Sequence, residues 1–189
     1  IAWYENDGNG NFGAQNVIST FAIGAVSVWA SDLDADGDMD ILSASKNDNK
    51  IAWYENDGSG SFGAQQIVST EAMGARAVLA SDINGDGDMD VLSVSQLDKS
   101  VNWYKNDGFG GFGDRQEINP SADEASAVIA SDLDGDGDMD VISASAGNDR
   151  IAWYENKGAG IYGTQKVISA SAAGAQSVYA ADFDGDRDM

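Results

Sequence analysis

The chain has 189 residues and a formal net charge of -22, from 10 Lys and Arg against 32 Asp and Glu, with no Cys and no His. That composition excludes disulfides, removes the commonest general base and transition-metal ligand, and leaves no basic patch to meet nucleic acid. No apolar run approaches the length of a membrane span.

Taken in chain order, the elements repeat. Ile1 to Asn6 (IAWYEN) recurs from Ile51, Val101 and Ile151, always 50 residues further on, and Ala30 to Asp40 recurs from Ala80, Ala130 and, cut short, Ala180. A fixed period of this size marks a repeat architecture. Ile1 to Ser19 reads as the last two strands of a first copy. Val26 to Ser31 opens the next copy as its first strand, and an Asp-rich loop follows. Ile41 to Ser45 is a second strand. Ile51 to Glu55, aromatic and β-branched, is a third. Asn56 to Gly60 is a turn of residues that tolerate positive φ, and Gln66 to Ser69 is a fourth strand. No segment sustains a helical period.

Four strands in 50 residues predict an all-β fold, a β-propeller of four-stranded blades. We divide residues 1–189, read as one propeller region, into a partial blade 1–25, full blades 26–75, 76–125 and 126–174, and a partial blade 175–189 that begins with another first strand. These amount to about four blades, closing as an imperfect ring or forming an arc of a larger one. The chain opens in mid-repeat and stops in mid-motif, so it reads as part of a longer protein. An open arc exposes apolar faces and strand edges, which predicts self-association. Trp53 and Tyr54 are adjacent and point to opposite faces, so each fills a different inter-blade gap. Burial between blades is therefore the expected place of Trp3, Trp53, Trp103 and Trp153, in preference to sugar-stacking platforms.

The loops carry the chemistry. Asp outnumbers Glu by 26 to 6, and 18 of the Asp lie in four loops. The pattern is Asp-x-Asp-x-Asp-Gly-x-x-Asp. The candidate metal residues are Asp32, Asp34, Asp36, Asp38 and Asp40; Asp82, Asn84, Asp86, Asp88 and Asp90; Asp132, Asp134, Asp136, Asp138 and Asp140; and Asp182, Asp184, Asp186 and Asp188. Alternate positions turn oxygens inward, Gly allows the sharp bend, the seventh position offers a carbonyl and the ninth offers two carboxylate oxygens. An all-oxygen set points to calcium, since softer metals want Cys or His and Mg²⁺ demands a stricter octahedron. An EF-hand needs Glu at the twelfth position and flanking helices. Here that position is Ser43, Ser93 or Ser143 between strands. Asn84 removes one negative ligand, so the second loop is expected to bind most weakly of the complete three.

These repeats resemble the FG-GAP/VCBS class, found in integrin α-subunit propellers and many bacterial secreted proteins. The Phe-Gly element stands at Phe12-Gly13, Phe62-Gly63 and Phe112-Gly113, with Tyr162-Gly163 in the last copy. The Gly-Ala-Pro element is not intact, surviving as Gly24-Ala25, Gly74-Ala75 and Gly174-Ala175. The resemblance implies a ring of seven blades more often than four, calcium between the first two strands of each blade, and an extracellular or cell-surface location.

Comparison between copies separates the two ends of the blades. The Asp loops and Asn-Asp-Gly turns barely vary. The other end does, with Phe21 and Ile23 in one copy replaced by Glu71 and Met73, Asp123 and Glu124, then Ser171 and Ala173. A protein or glycan ligand, if one binds, is expected there, although surface loops also drift without selection. The function read from the sequence is a non-catalytic, calcium-stabilised domain serving adhesion or ligand binding. The alternatives are a carbohydrate-binding lectin propeller or an accessory propeller of a polysaccharide-degrading enzyme.

Overall fold

In a computed structural model describing residues 1–185 and Met189, the alternating small, apolar and β-branched segments form strands. β1 (Ala2–Asn6) and β2 (Phe12–Val17) make a hairpin. A first complete blade follows from β3 (Ala25–Ser31), β4 (Asp40–Ser45), β5 (Lys50–Tyr54) and β6 (Gln66–Ser69). The next comprises β7 (Ala75–Ser81), β8 (Asp90–Ser95), β9 (Ser100–Tyr104) and β10 (Gln116–Asn119). The last comprises β11 (Ala125–Ser131), β12 (Asp140–Ser145), β13 (Arg150–Tyr154) and β14 (Lys166–Ser169). Each blade is an antiparallel meander in chain order. Register repeats as well: Trp29↔Leu42↔Trp53 in one blade becomes Leu79↔Leu92↔Trp103 in the next. The fold is an all-β propeller of four-stranded blades.

The blades stack side by side. β3 packs on β7 and β7 on β11, so the first strands lie innermost. One inter-blade core holds Leu33, Leu42 and Trp53 against Val78, Val91 and Tyr104, and the next holds Ile83, Leu92 and Trp103 against Val128, Val141 and Tyr154. Each gap thus takes a Trp from one blade and a Tyr from its successor, as the opposite-face geometry of the Trp-Tyr pair requires. Trp53 and Trp103 are 2% and 4% exposed and serve as core.

One sequence expectation fails. Residues 175–181 form no strand. In every complete blade the innermost strand bonds only the second strand, and the sequence given stops before that partner. Without a ladder to join, its backbone groups bond elsewhere: the Ala175 carbonyl accepts from the Ser126 hydroxyl at 2.6 Å.

Candidate metal centre

The Asp loops join the two innermost strands of each blade. In the first loop, Asp32 Oδ2 accepts from the Gly37 N–H at 3.0 Å, and Asp36 Oδ1 accepts from the Asp38 N–H at 2.8 Å. These bonds curl the backbone around its own carboxylates. Gly37 sits at φ +96°, in the left-handed region open to glycine. Carboxylate oxygens of Asp32, Asp34 and Asp40 lie within 4.8 Å of one another, as do those of Asp132, Asp134 and Asp136 in the third loop.

The ninth Asp is the anchor. Asp40, Asp90 and Asp140 are fully buried. Asp40 Oδ2 accepts from the Leu33 N–H at 2.9 Å and Oδ1 from the Asn56 N–H at 2.8 Å. Asp90 and Asp140 repeat both bonds, to Ile83 and Asn106 and to Leu133 and Asn156. One carboxylate therefore ties the loop to the turn between the third and fourth strands. The sequence assigned both oxygens to a metal; the structure adds this second task, which leaves each oxygen further lone-pair capacity. Burial pushes the Asp40 and Asp90 carboxyls up to about 6, and raises Asp140 as well. Asp34 is raised by burial first and then by the charge of Asp36.

Asp32 Oδ1 and Asp34 Oδ1 are buried and meet no hydrogen-bond donor among the described residues. Two orphaned carboxylate oxygens close to a third carboxylate are costly unless a cation neutralises them. An all-oxygen, carboxylate-rich set suits a hard cation. Asp38, Asp88 and Asp138 turn outward to the neighbouring hairpin; a Cβ on Gly108 would stand 2.7 Å from Asp88 Oδ1. That orientation leaves the backbone as this position's contribution to the loop.

The second loop is built differently. Asn84 Nδ2 donates to Asp90 Oδ2 at 3.2 Å, and its Oδ1 accepts from the Asp86 N–H at 2.9 Å. Lys105 Nζ lies 3.0 Å from Asp86 Oδ2. Against the cost of desolvation, that ammonium holds the Asp86 carboxyl below the usual range. The other copies carry Glu5, Glu55 and Glu155 at this position, and Glu55 adds negative charge near Asp34. Lys105 thus joins the candidate site from outside the loop motif, and the Glu-to-Lys change between copies is its visible signal. In the fourth loop the Gly185 N–H donates to Asp182 Oδ1 at 2.6 Å, with Asp184 beyond it. Asp186 and Asp188 lie outside the described residues.

FG-GAP-like repeats match this chain four times, over residues 1–43, 32–93, 82–143 and 132–189. The chain belongs to the FG-GAP-like repeat family. No curated protein matches it significantly. Among solved structures, its fold is similar to that of a lectin from Agrocybe aegerita, described for specific recognition of non-reducing terminal N-acetylglucosamine. That similarity has a TM-score of 0.65 at 22% identity, covering 91% of this chain and 47% of the lectin chain. The chain therefore spans just under half the length of that relative.

The opposite end of this FG-GAP-like propeller carries the links between blades. There the Lys46 and Asn47 N–H groups donate to the Gly24 and Ile23 carbonyls, and the same pair recurs in the next two copies. Phe21, Ile23, Met73 and Leu97 stand exposed at this end, while the third blade presents Asp123 and Glu124 instead. The end that varies between copies is therefore also uneven in polarity. Among the described residues no helix is long and apolar enough to cross a membrane.

Proposed function

We propose that this chain is a non-catalytic, calcium-stabilised binding propeller of an extracellular or cell-surface protein. The observation that carries the reading is the pair of buried, donorless oxygens Asp32 Oδ1 and Asp34 Oδ1 beside Asp40. Calcium bound there neutralises carboxylates that otherwise repel. Asp32, Asp34 and Asp40 hold it in the first loop, with Asp132, Asp134 and Asp136 in the third. Through Asp40 and Asp140 the same ion stiffens the turns that follow the third strands. Its role is structural, and ligand binding or adhesion falls to the variable end.

The loops are not equivalent. With Asn84 in place of an Asp and Lys105 in place of a Glu, the second loop loses negative charge twice. The Lys105 ammonium takes up part of the work of a cation, and this loop is the weakest of the complete three. Calorimetric titration with calcium tests the assignment: two tight sites and a weaker one support it, and no heat above dilution overturns it.

A second reading, a glycan-binding propeller, is favoured by the similarity to the Agrocybe aegerita lectin. Burial of Trp53 and Trp103 removes them as stacking platforms, which leaves a sugar the variable end or the exposed Trp29. A glycan array without hits removes this second reading and leaves the calcium reading intact.

A further inference from the structure

Asn84 and Gly85 stand in the second Asp loop, and one other Asn of the chain, Asn9, also precedes a Gly. In an Asn-Gly pair the backbone nitrogen of the Gly attacks the preceding amide carbon most readily, because no Cβ stands in the way. Around Asn84 the structure adds three features. The Gly85 N–H donates to Asp82 Oδ1 at 2.8 Å, so a carboxylate already stands on the proton that this nitrogen must lose. A Cβ on Gly85 would meet nothing within 4 Å, and Gly85, Asp86 and Gly87 are exposed, which admits water. Asn84 Oδ1 accepts from the Asp86 N–H at 2.9 Å, which polarises the amide. At Asn9 the following Gly10 N–H is held instead by Asn6 Oδ1, an amide oxygen that takes up no proton.

The product has a template in the same chain. An Asp at 84 would make residues 82–90 identical to 132–140 except for Ile83 in place of Leu133. Gly85 and Gly135 share a backbone conformation, at φ 76° and 78°, and both donate to the first Asp of their loop at 2.8 Å. The change also alters what the loop needs. Asn84 Nδ2 donates to Asp90 Oδ2 at 3.2 Å, so the amide itself satisfies the buried ninth carboxylate. In the first loop that place belongs to Asp34, whose Oδ1 is buried without a donor beside Asp32 and Asp40. An oxygen in place of the amide nitrogen leaves two carboxylates that a cation must hold together.

We propose that Asn84 is a self-modification site, which deamidates to Asp and converts the second loop from amide-held to cation-held. Asp82 takes the Gly85 N–H proton, the nitrogen attacks Asn84 Cγ, and the proton passes to Nδ2 as the Cγ–Nδ2 bond breaks and ammonia leaves. The product is a five-membered succinimide. Water then adds at Cγ and breaks the new Cγ–N bond, which restores the ordinary backbone with a carboxylate at position 84. One water is consumed for each ammonia released, and no oxidant is needed. The deamidation stands by itself, whereas the gain in calcium affinity rests on the calcium reading above.

Peptide mapping by tandem mass spectrometry of the full 189-residue chain, aged at neutral pH without calcium, tests it. The peptide holding Asn84 is expected to show the amide-to-acid mass shift ahead of every Asn that no Gly follows, with ordinary Asp among the products. Gly85→Ala is expected to slow this roughly tenfold through the added Cβ, and Ala35 at φ 61° shows that the same loop position accepts it. Asp82→Asn is expected to slow Asn84 while Asn9 keeps its rate. Calorimetry on the aged protein is expected to show the second calcium site tightened roughly tenfold, as Asn84→Asp shows from the start. An Asn84 that ages no faster than the Asn residues without a following Gly overturns the proposal, and so does isoaspartate as the sole product. The mass shift in a chain that gives no calcium heat supports the deamidation and removes the calcium reading.

Discussion

Asn106 Nδ2 lies 2.7 Å from the carbonyl of Leu33, 73 positions upstream and in the preceding blade, and also 3.0 Å from the carbonyl of Met89 in its own. Its Oδ1 accepts from the Gly108 N–H. One amide therefore holds two Asp loops and a hairpin turn in a single network, and Asn156 repeats the arrangement.

Asn106→Ala strands the buried Leu33 carbonyl, the part-buried Met89 carbonyl and a turn N–H. Each buried polar group left without a partner costs about 1–3 kcal/mol, so the loss in denaturant-measured stability is expected at the upper end of that range. Asn6→Ala, at an exposed turn without the inter-blade bond, is expected to cost under about 1 kcal/mol. Similar losses at the two positions would contradict the network.

Gly110→Ala places a methyl against the indole of Trp53 at a residue with φ +74°. Overpacking of a tight contact costs about 1–3 kcal/mol and left-handed strain about 1–2 more. Gly10→Ala incurs the strain alone, since nothing within its own chain lies near. Thermal melts of the two variants, taken under conditions where the chain is monomeric, are expected to differ by the overpacking cost.

The repeat unit was legible in the sequence because it recurs. The register of IAWYEN, the strand order and the Asp loops all follow from copies 50 residues apart. The opposite faces of Trp53 and Tyr54 followed from strand geometry. What stayed hidden are contacts between copies. Asn56, Asn106 and Asn156 are identical, but identity does not say that the amide crosses a gap. The ninth Asp looked like a metal ligand alone, since its bonds to backbone N–H groups depend on how a loop folds onto a distant turn. The strand expected at 175–181 failed for a tertiary reason, the missing ladder partner, which local pattern cannot supply.

Lys105→Glu converts the second loop to the charge pattern of its neighbours. Reversing a charge near a divalent cation at a partly solvated site is worth about 1–2 kcal/mol, roughly tenfold in affinity. Titration calorimetry is expected to show the weak calcium site tightening toward the other two. An unchanged weak site would remove Lys105 from the account.

Calcium dependence is expected to be pH-dependent, with a sign set by buried carboxyls. The Asp40 and Asp90 carboxyls are raised to about 6 by burial. In the calcium-free protein a raised acid favours the protonated fold, so stability is retained at low pH and falls as pH rises through about 6. Calcium needs the ionised form, so its affinity moves the opposite way and drops as pH falls through the same window. The gap between melts with calcium and with chelator is therefore expected to widen from pH 5 to pH 7. A constant gap would contradict this assignment of the buried carboxyls.

The central claim is that cations hold the rim loops of these blades, and thermal unfolding in excess calcium against excess chelator tests it most directly. At calcium ten- to a hundredfold above Kd, each occupied loop adds about 1.4–2.7 kcal/mol, so the account predicts a clear rise in melting temperature with calcium. A melting temperature and fold identical in chelator would contradict it.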